Sequence, residues 1–161
     1  MAEFFKAAIA FIQVILYITG VFTADTTINY GGEKYISPSV NTPMNIVEDG
    51  ASDFLIVTED TPDETILTAV SELQTYVKKI SGVSLKSVKE SQYSFADNAI
   101  IIGDTIFDDN IEAINTEDIK QDGFVLYSDG NHLFICAEES RGTLYGVYTF
   151  LEEYLGVRWF T

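Results

Sequence analysis

This 161-residue chain is short of three chemical resources: it has one cysteine, one histidine and only nine lysines and arginines. A lone Cys136 excludes an internal disulfide in any compartment. It lies in the alternating apolar run HLFICA (132–137), so it reads as a small buried hydrophobe. No histidine or asparagine is placed by the sequence to activate it as a nucleophile. His132 is the sole histidine, and any Ser–His or Cys–His hydrolytic arrangement would have to be built on it. It stands just past a turn signal, where a solvated or turn-bonding role is expected. One His and one Cys four residues apart do not make a zinc site, which needs three or four ligands. Nine Lys and Arg against 25 Asp and Glu give a formal charge of −16. That excludes nucleic acid as a partner, because nothing offsets phosphate repulsion, and argues against anionic lipid. The acidity itself predicts only a soluble, self-repelling surface. Gly-rich phosphate loops, internal repeats and low-complexity tracts are also missing. No cofactor or metal site is expected: the acidic DDNIEAINTED (108–118) lacks the glycine and spacing of a calcium loop.

What is there is enough apolar material, 47% hydrophobic and 13% aromatic, for one core of ordinary size. The first 24 residues stand apart. AAIAFIQVILYITGVF (7–22) is broken only by Gln13, Thr19 and Gly20, a signal-peptide proportion that falls short of the ~20 residues needed to cross a bilayer. Residues 1–24 are therefore expected to export the chain, with an uncleaved anchor or a buried helix as alternatives, and the protein is expected to be extracytoplasmic. Asn, Gly-Gly, Ser-Pro and Thr-Pro make residues 25–43 an irregular linker.

The domain proper is expected over 44–161. A first short strand is expected at 44–47, and DFLIVTED (53–60) is a strand bounded by polar residues. Thr61-Pro62-Asp63-Glu64 supplies a cap at Thr61, a proline at the first helical position and a capping-box glutamate. Ile66, Val70, Leu73, Val77 and Ile80 then form one helical stripe that Gly82 terminates. VSLKSV (83–88) is a strand. NAIIIGDT (98–105) is a stronger one, its unbroken Ile run predicting burial on both faces and hence a central position. Gly103-Asp104 at its end specifies a turn and nothing more. GFVLYS and HLFICA flank Asp129-Gly130-Asn131, a hairpin signal. Ser140 is expected to cap a second helix whose Leu144, Val147, Tyr148, Leu151 and Leu155 share a face. Gly142 and Gly146 leave a smooth ridge for close approach to a sheet. VRWF (157–160) after Gly156 alternates as a strand would. This order predicts an α+β fold, a mixed sheet with two amphipathic helices packed on one face.

No catalytic constellation is legible. The doublets Glu138-Glu139 and Glu152-Glu153 are the obvious carboxylate pairs, but sequence neighbours point in different directions. Neither can supply a glycosidase's acid and nucleophile across a cleft.

The hairpin DGFVLYSDGNHLFICAEE followed by SRGTLYGVYTFLEEYLGVRWF carries a resemblance, above all in Arg141-Gly142, Tyr145-Gly146 and Gly156 to Trp159. The stretch resembles the end of the N-terminal accessory domain that precedes the catalytic barrel in α-glucuronidases of glycoside hydrolase family 67. It is similar also to the equivalent domain of β-N-acetylhexosaminidases and to uncharacterised, often secreted bacterial relatives. The resemblance implies a mixed sheet with two helices on one face and a barrel beginning just after Thr161. The catalytic acids would belong to that barrel. None can be carried over onto this chain. Arg141, Tyr145, Arg158 and Trp159 are the candidate inter-domain or cleft-edge residues; the competing reading is ordinary packing, with the aromatics in the core and the arginines paired locally. The expected partners are thus the barrel of the same chain and a polysaccharide. The alternative function is a stand-alone carbohydrate-binding or surface-interaction module, and a third is a cytoplasmic structural protein with its apolar leader buried.

Overall fold

The computed structural model describes residues 44–108, 111, 114 and 122–159, together with the backbone of 29–30 and 33–34. The apolar leader, 1–24, and Phe160 lie outside them. Within the expected linker, β1 (Asn29–Tyr30) and β2 (Glu33–Lys34) pair antiparallel, so that segment is not wholly irregular.

The domain is built on a five-stranded mixed sheet of β3 (Leu55–Thr58), β4 (Lys86–Lys89), β5 (Ala99–Ile102), β6 (Val125–Ser128) and β7 (His132–Cys136), in the spatial order β4-β3-β5-β7-β6. All neighbours are parallel except β6 and β7, which form the expected hairpin. Position follows hydrophobic content. All four residues of β5 are buried and it is central, whereas KSVK of β4 has no fully buried residue and forms an edge. At the hairpin turn Gly130 takes φ 102°, and the Asp129 carboxylate accepts the backbone N–H of Asn131 and of His132.

Two helices cover one face. In α1 (Glu64–Ser81) the buried Ile66, Ala69, Val70, Leu73 and Val77 follow the helical stripe, and Gly82 closes it at φ 78° with its N–H on Lys78 O. The N-cap differs from expectation: it is Asp63, not Thr61. Its Oδ1 accepts the N–H of Thr65 at 2.8 Å and of Ile66 at 2.9 Å, so Pro62 precedes the cap. Aspartate is the better cap, and its extended backbone serves as the entry to the helix. The second helix, α2 (Ser140–Thr149), continues as a π-helical turn over Phe150–Tyr154, and Gly156 at φ 70° ends it. Ser140 is not its cap. Glu139 holds that position without a side-chain bond, and the Ser140 hydroxyl donates instead to Asp63 Oδ2 at 2.6 Å, tying the starts of the two helices together.

Glycine sets how closely α2 seats. A Cβ on Gly142 would stand 2.3 Å from Gly123 O, and one on Gly146 2.8 Å from Ile135 Cγ2. The helix therefore rotates its glycine ridge to the sheet. Gly142, Thr143, Gly146 and Val147 are buried, while Leu144, Tyr148 and Leu155 of the expected stripe are only half-buried. The core beneath the helices unites Ile66, Leu73 and Leu151 with Ile56, Ile100, Ile102, Leu126, Leu133 and Ile135 of the sheet. Each fully buried aliphatic side chain contributes roughly 1.5–3 kcal/mol. The opposite face (Val57, Ala99, Ile101, Val125, Phe134, Cys136) is covered by non-helical segments that bring in Tyr93 and Phe107.

Two expected strands are absent. Residues 44–47 form no ladder; Met44, Ile46 and Val47 are buried in the helix-side core as irregular cover. Val157 to Trp159 also pair with no strand. The Val157 N–H bonds to Leu151 O at 2.9 Å, which holds the chain against α2 and away from the sheet edges.

Candidate functional site

The four residues singled out by sequence divide into two pairs at opposite ends of the α2 segment. Arg141 to Glu152, where Arg158 is anchored, spans 11 residues, roughly 16 Å of helix rise. At the near end the Arg141 guanidinium forks onto the Asp122 carboxylate and lies over the Tyr145 ring, 5.7 Å from its centroid. At the far end Arg158 Nη1 donates to Glu152 O at 2.7 Å and to Val157 O at 3.0 Å. Both arginines are thus held by partners of this domain, as the packing reading expects. Exposed ion pairs of this kind contribute about 1 kcal/mol or less. The aromatics behave otherwise: Tyr145 and Trp159 remain 39% and 42% exposed, which no core aromatic would be. Trp159 stands edge-on to Tyr76 (centroids 4.8 Å, 81°) and to Tyr148 (5.3 Å, 81°), bridging the groove between α1 and α2. Burial, and then the nearby Glu72 carboxylate, raise the Tyr148 pKa above the ordinary tyrosine value.

A second cluster forms where the parallel strands β3 and β5 end side by side, the usual ligand end of an open α/β sheet. Gly103, at φ 99°, leaves room for Glu59: a Cβ there would be 2.5 Å from Glu59 Oε2. That oxygen is covered and has no hydrogen-bond partner. Burial, with the carboxylates of Asp63 and Asp104 acting in the same direction, pushes the Glu59 pKa up. Asp63 is the opposite case. The Ser140 hydroxyl and the Ile66 N–H hold its pKa below the usual carboxylate value. Asp108, beyond Gly103, is buried and accepts both the N–H (2.7 Å) and the hydroxyl (2.6 Å) of Thr105 through Oδ1; desolvation still raises its pKa. The sequence marked only the turn at Gly103-Asp104. The cluster needs Glu59, which lies 44 residues upstream and is brought there by strand pairing.

The remaining chemical candidates are buried, and the covered Nε2 of His132 has no hydrogen-bond partner among the described residues. His132 is 5% exposed, so it is buried and not solvated; its ring Nδ1–H donates to Asp129 Oδ2 at 2.7 Å and Phe95 stacks on it at 4.1 Å. Burial opposes the Asp129 carboxylate, but the bonds from the His132 ring and from the His132 and Asn131 N–H groups outweigh it and lower the pKa. Cys136 is buried and its thiol is pushed far up by desolvation. Among the described residues no group of three or more His, Cys, Asp or Glu is arranged to hold a metal ion. An apolar depression lined by Ile46, Val77, Ile80 and Leu155, and a shallow one by Asn45, Glu48, Ser52 and Asp53, contain none of the four predicted residues.

Residues 47–150 match the sequence model described as glycosyl hydrolase family 67 N-terminus. A protein named "Probable alpha-glucuronidase A" from Aspergillus terreus (strain NIH 2624 / FGSC A1156) is 31% identical over 100 residues. That stretch is 60% of this chain and 12% of the relative. Arg141 and Tyr145 fall inside the family match, and Arg158 and Trp159 beyond it.

Proposed function

The chain belongs to the glycosyl hydrolase family 67 N-terminus family and is a glycoside hydrolase-associated domain; from that premise we propose that it is a non-catalytic accessory domain. It acts by packing beside a catalytic barrel of the same chain in an exported, α-glucuronidase-like enzyme of polysaccharide degradation. One observation carries the reading: the likeness is to an N-terminal domain and takes up 12% of the α-glucuronidase relative, so the greater part of that protein lies outside the likeness. The local partners of both arginines support it, as does the burial of His132, whose ring is covered by Phe95. Export rests on the apolar run of residues 7–22.

The alternative, a module that binds polysaccharide by itself, has in its favour the exposure of Tyr145 and Trp159. Against it, Trp159 is packed edge-on against Tyr76 and Tyr148, so its ring already serves the domain's own helix packing.

The reading frame beyond Thr161 and an activity assay test the proposal together. Several hundred further residues with alternating strand and helix patterns are expected. The full-length protein should release uronic acid from glucuronoxylan fragments, and the 161-residue chain should release none. A stop codon directly after Thr161, or turnover by the 161-residue chain, overturns the accessory role. Recovery of the protein from the culture medium or periplasm, with its N-terminus near Asp25, checks export.

A further inference from the structure

The helix-free face of the sheet is roofed by aromatic rings, and one titratable ring lies beneath that roof. His132 opens β7 and is buried, with Ala99 of β5 opposite it and Phe134 two residues further along the same face. Phe95 lies flat on the His132 ring at 4.1 Å and 11°, and Phe107 stacks on Phe95 in turn at 5.3 Å. Phe95 stands at the tip of a short turn before β5. The Tyr93 hydroxyl donates to Asp97 O and the Asp97 N–H to Ser94 O, so the turn is closed at its base. Phe95 itself is 42% exposed, so lifting it returns less apolar area to water than lifting a core ring would.

Only one edge of the His132 ring is satisfied. Nδ1–H donates to Asp129 Oδ2 at 2.7 Å, whereas Nε2 is covered and has no hydrogen-bond partner among the described residues. In the neutral ring that omission costs one unmade hydrogen bond. Protonation turns Nε2 into a charged donor without an acceptor, which costs more. Asp129 stabilises the imidazolium whether Phe95 is down or lifted, so it does not choose between the two. The Phe95 face attracts the cation and favours the closed form. The stranded Nε2–H favours the open one, and a dry charged donor is the larger effect. Lifting Phe95 clears one whole face of the ring and lets water reach Nε2.

We propose that Phe95 is a proton-operated lid: protonation of His132 at Nε2 lifts it and uncovers the aromatic core of the helix-free face. The other titratable groups around the ring, among the described residues, are Asp129 on the hairpin turn, Tyr93 and Asp97 on the Phe95 turn, and Tyr127 on β6. Burial works against the Asp129 carboxylate, but its bonds from His132 and Asn131 outweigh it and keep the group ionised at pH 5. Tyr93, pushed up to about 12 by burial and then by the Asp97 and Asp129 carboxylates, stays neutral.

His132 is the sole histidine, so in the 161-residue chain made with isotope-labelled histidine every ring signal belongs to it. NMR spectra from pH 8 to pH 5 should show Nε2 taking a proton while the chain stays folded, and the nuclear Overhauser contact between the His132 and Phe95 rings disappearing with it. Phe95→Leu identifies the cross-peak. Hydroxyl-radical oxidation of Phe95, measured against exposed Leu67 on α1, should rise about twofold over the same range, the ratio of full exposure to 42%, and stay flat in His132→Asn. A Phe95 contact that persists after His132 is protonated overturns the lid. So does a ring that stays neutral down to pH 5, or an equal rise in oxidation in His132→Asn, which would mark a general loosening in acid. The NMR arm uses the unaltered chain and decides the question even if His132→Asn does not fold. None of these outcomes touches the accessory role.

Discussion

Replacing Gly142 by alanine is expected to destabilise the domain by about 2 kcal/mol, and the origin of that number can be traced through the helix–sheet interface. The new Cβ would stand 2.3 Å from Gly123 O and 2.8 Å from Ala137 Cβ. A carbon–oxygen contact rests at about 3.3 Å, so α2 or the Gly123 carbonyl must shift by about 1 Å. The obstruction is backbone at the start of the segment leading into β6, not the far end of a flexible side chain. Overpacking costs then fall at the upper end of the usual range, about 3 kcal/mol. Alanine returns about 1 kcal/mol through its better helix propensity. Gly146→Ala is the internal control, in the same helix and with the same propensity gain. Its Cβ would meet Ile135 Cγ2 at 2.8 Å and the Phe124 ring at 3.3 Å. The approach is 0.5 Å less severe and meets side chains in place of a backbone carbonyl, so its net cost should be smaller, about 1 kcal/mol. Urea unfolding followed by far-UV circular dichroism measures both. The midpoint of Gly142→Ala should fall with an unchanged denaturant slope, and by more than that of Gly146→Ala. If Gly142→Ala proves as stable as the parent, or more so, α2 does not seat at this distance and the account of its glycine ridge is wrong.

Asp63→Ala should cost about 1–2 kcal/mol through the lost cap. A double-mutant cycle with Ser140→Ala should show coupling of about 0.5–1.5 kcal/mol, because the hydroxyl donates to the same carboxylate; strict additivity would contradict the link between the helix starts. The pKa of Asp63 is lowered in the fold, so its contribution is present above the unfolded value of 3.8 and lost as pH falls through the lowered folded value. Asp63→Asn should remove that part of the acid transition. Asp108 has the opposite sign: its folded pKa is raised, so its ionisation disfavours the fold at neutral pH, and stability recovers as pH falls through the raised value toward 3.8. Asp108→Asn should flatten that rise, and an unchanged pH profile would show that Asp108 is not its source. The Cys136 thiol, buried and raised, should resist iodoacetamide in the native protein and react once unfolded in urea; rapid native labelling would show the site to be open.

Local chemistry settled much of this molecule in advance. The α1 stripe, the Gly82 stop, the Ile100 to Ile102 run that makes β5 central and the Asp129-Gly130-Asn131 turn each depend on residues within a few positions of one another. Periodicity and turn residues act at that range, so they were legible, as was the layering of two helices on one sheet face. The resemblance at Arg141-Gly142 and Tyr145-Gly146 also pointed to the family that the match over 47–150 shows.

What sequence order could not convey was which distant groups meet. Thr61 and Ser140 are both sound cap residues, yet Asp63 caps α1 and takes Ser140 as a partner 77 residues away. VRWF alternates like a strand, but alternation says only that faces differ, not that a sheet edge is within reach; the π-helical turn and the Leu151 carbonyl direct Val157 to Trp159 over the helices instead. Glu59 meets Gly103 only because β3 and β5 run parallel and end together. The identity of the elements was written in short-range pattern, whereas the placing of Trp159 between two tyrosines, the approach of Glu59 to Gly103 and the seating of α2 arose from close packing, in which a side chain's surroundings are set by whatever the whole fold brings against it.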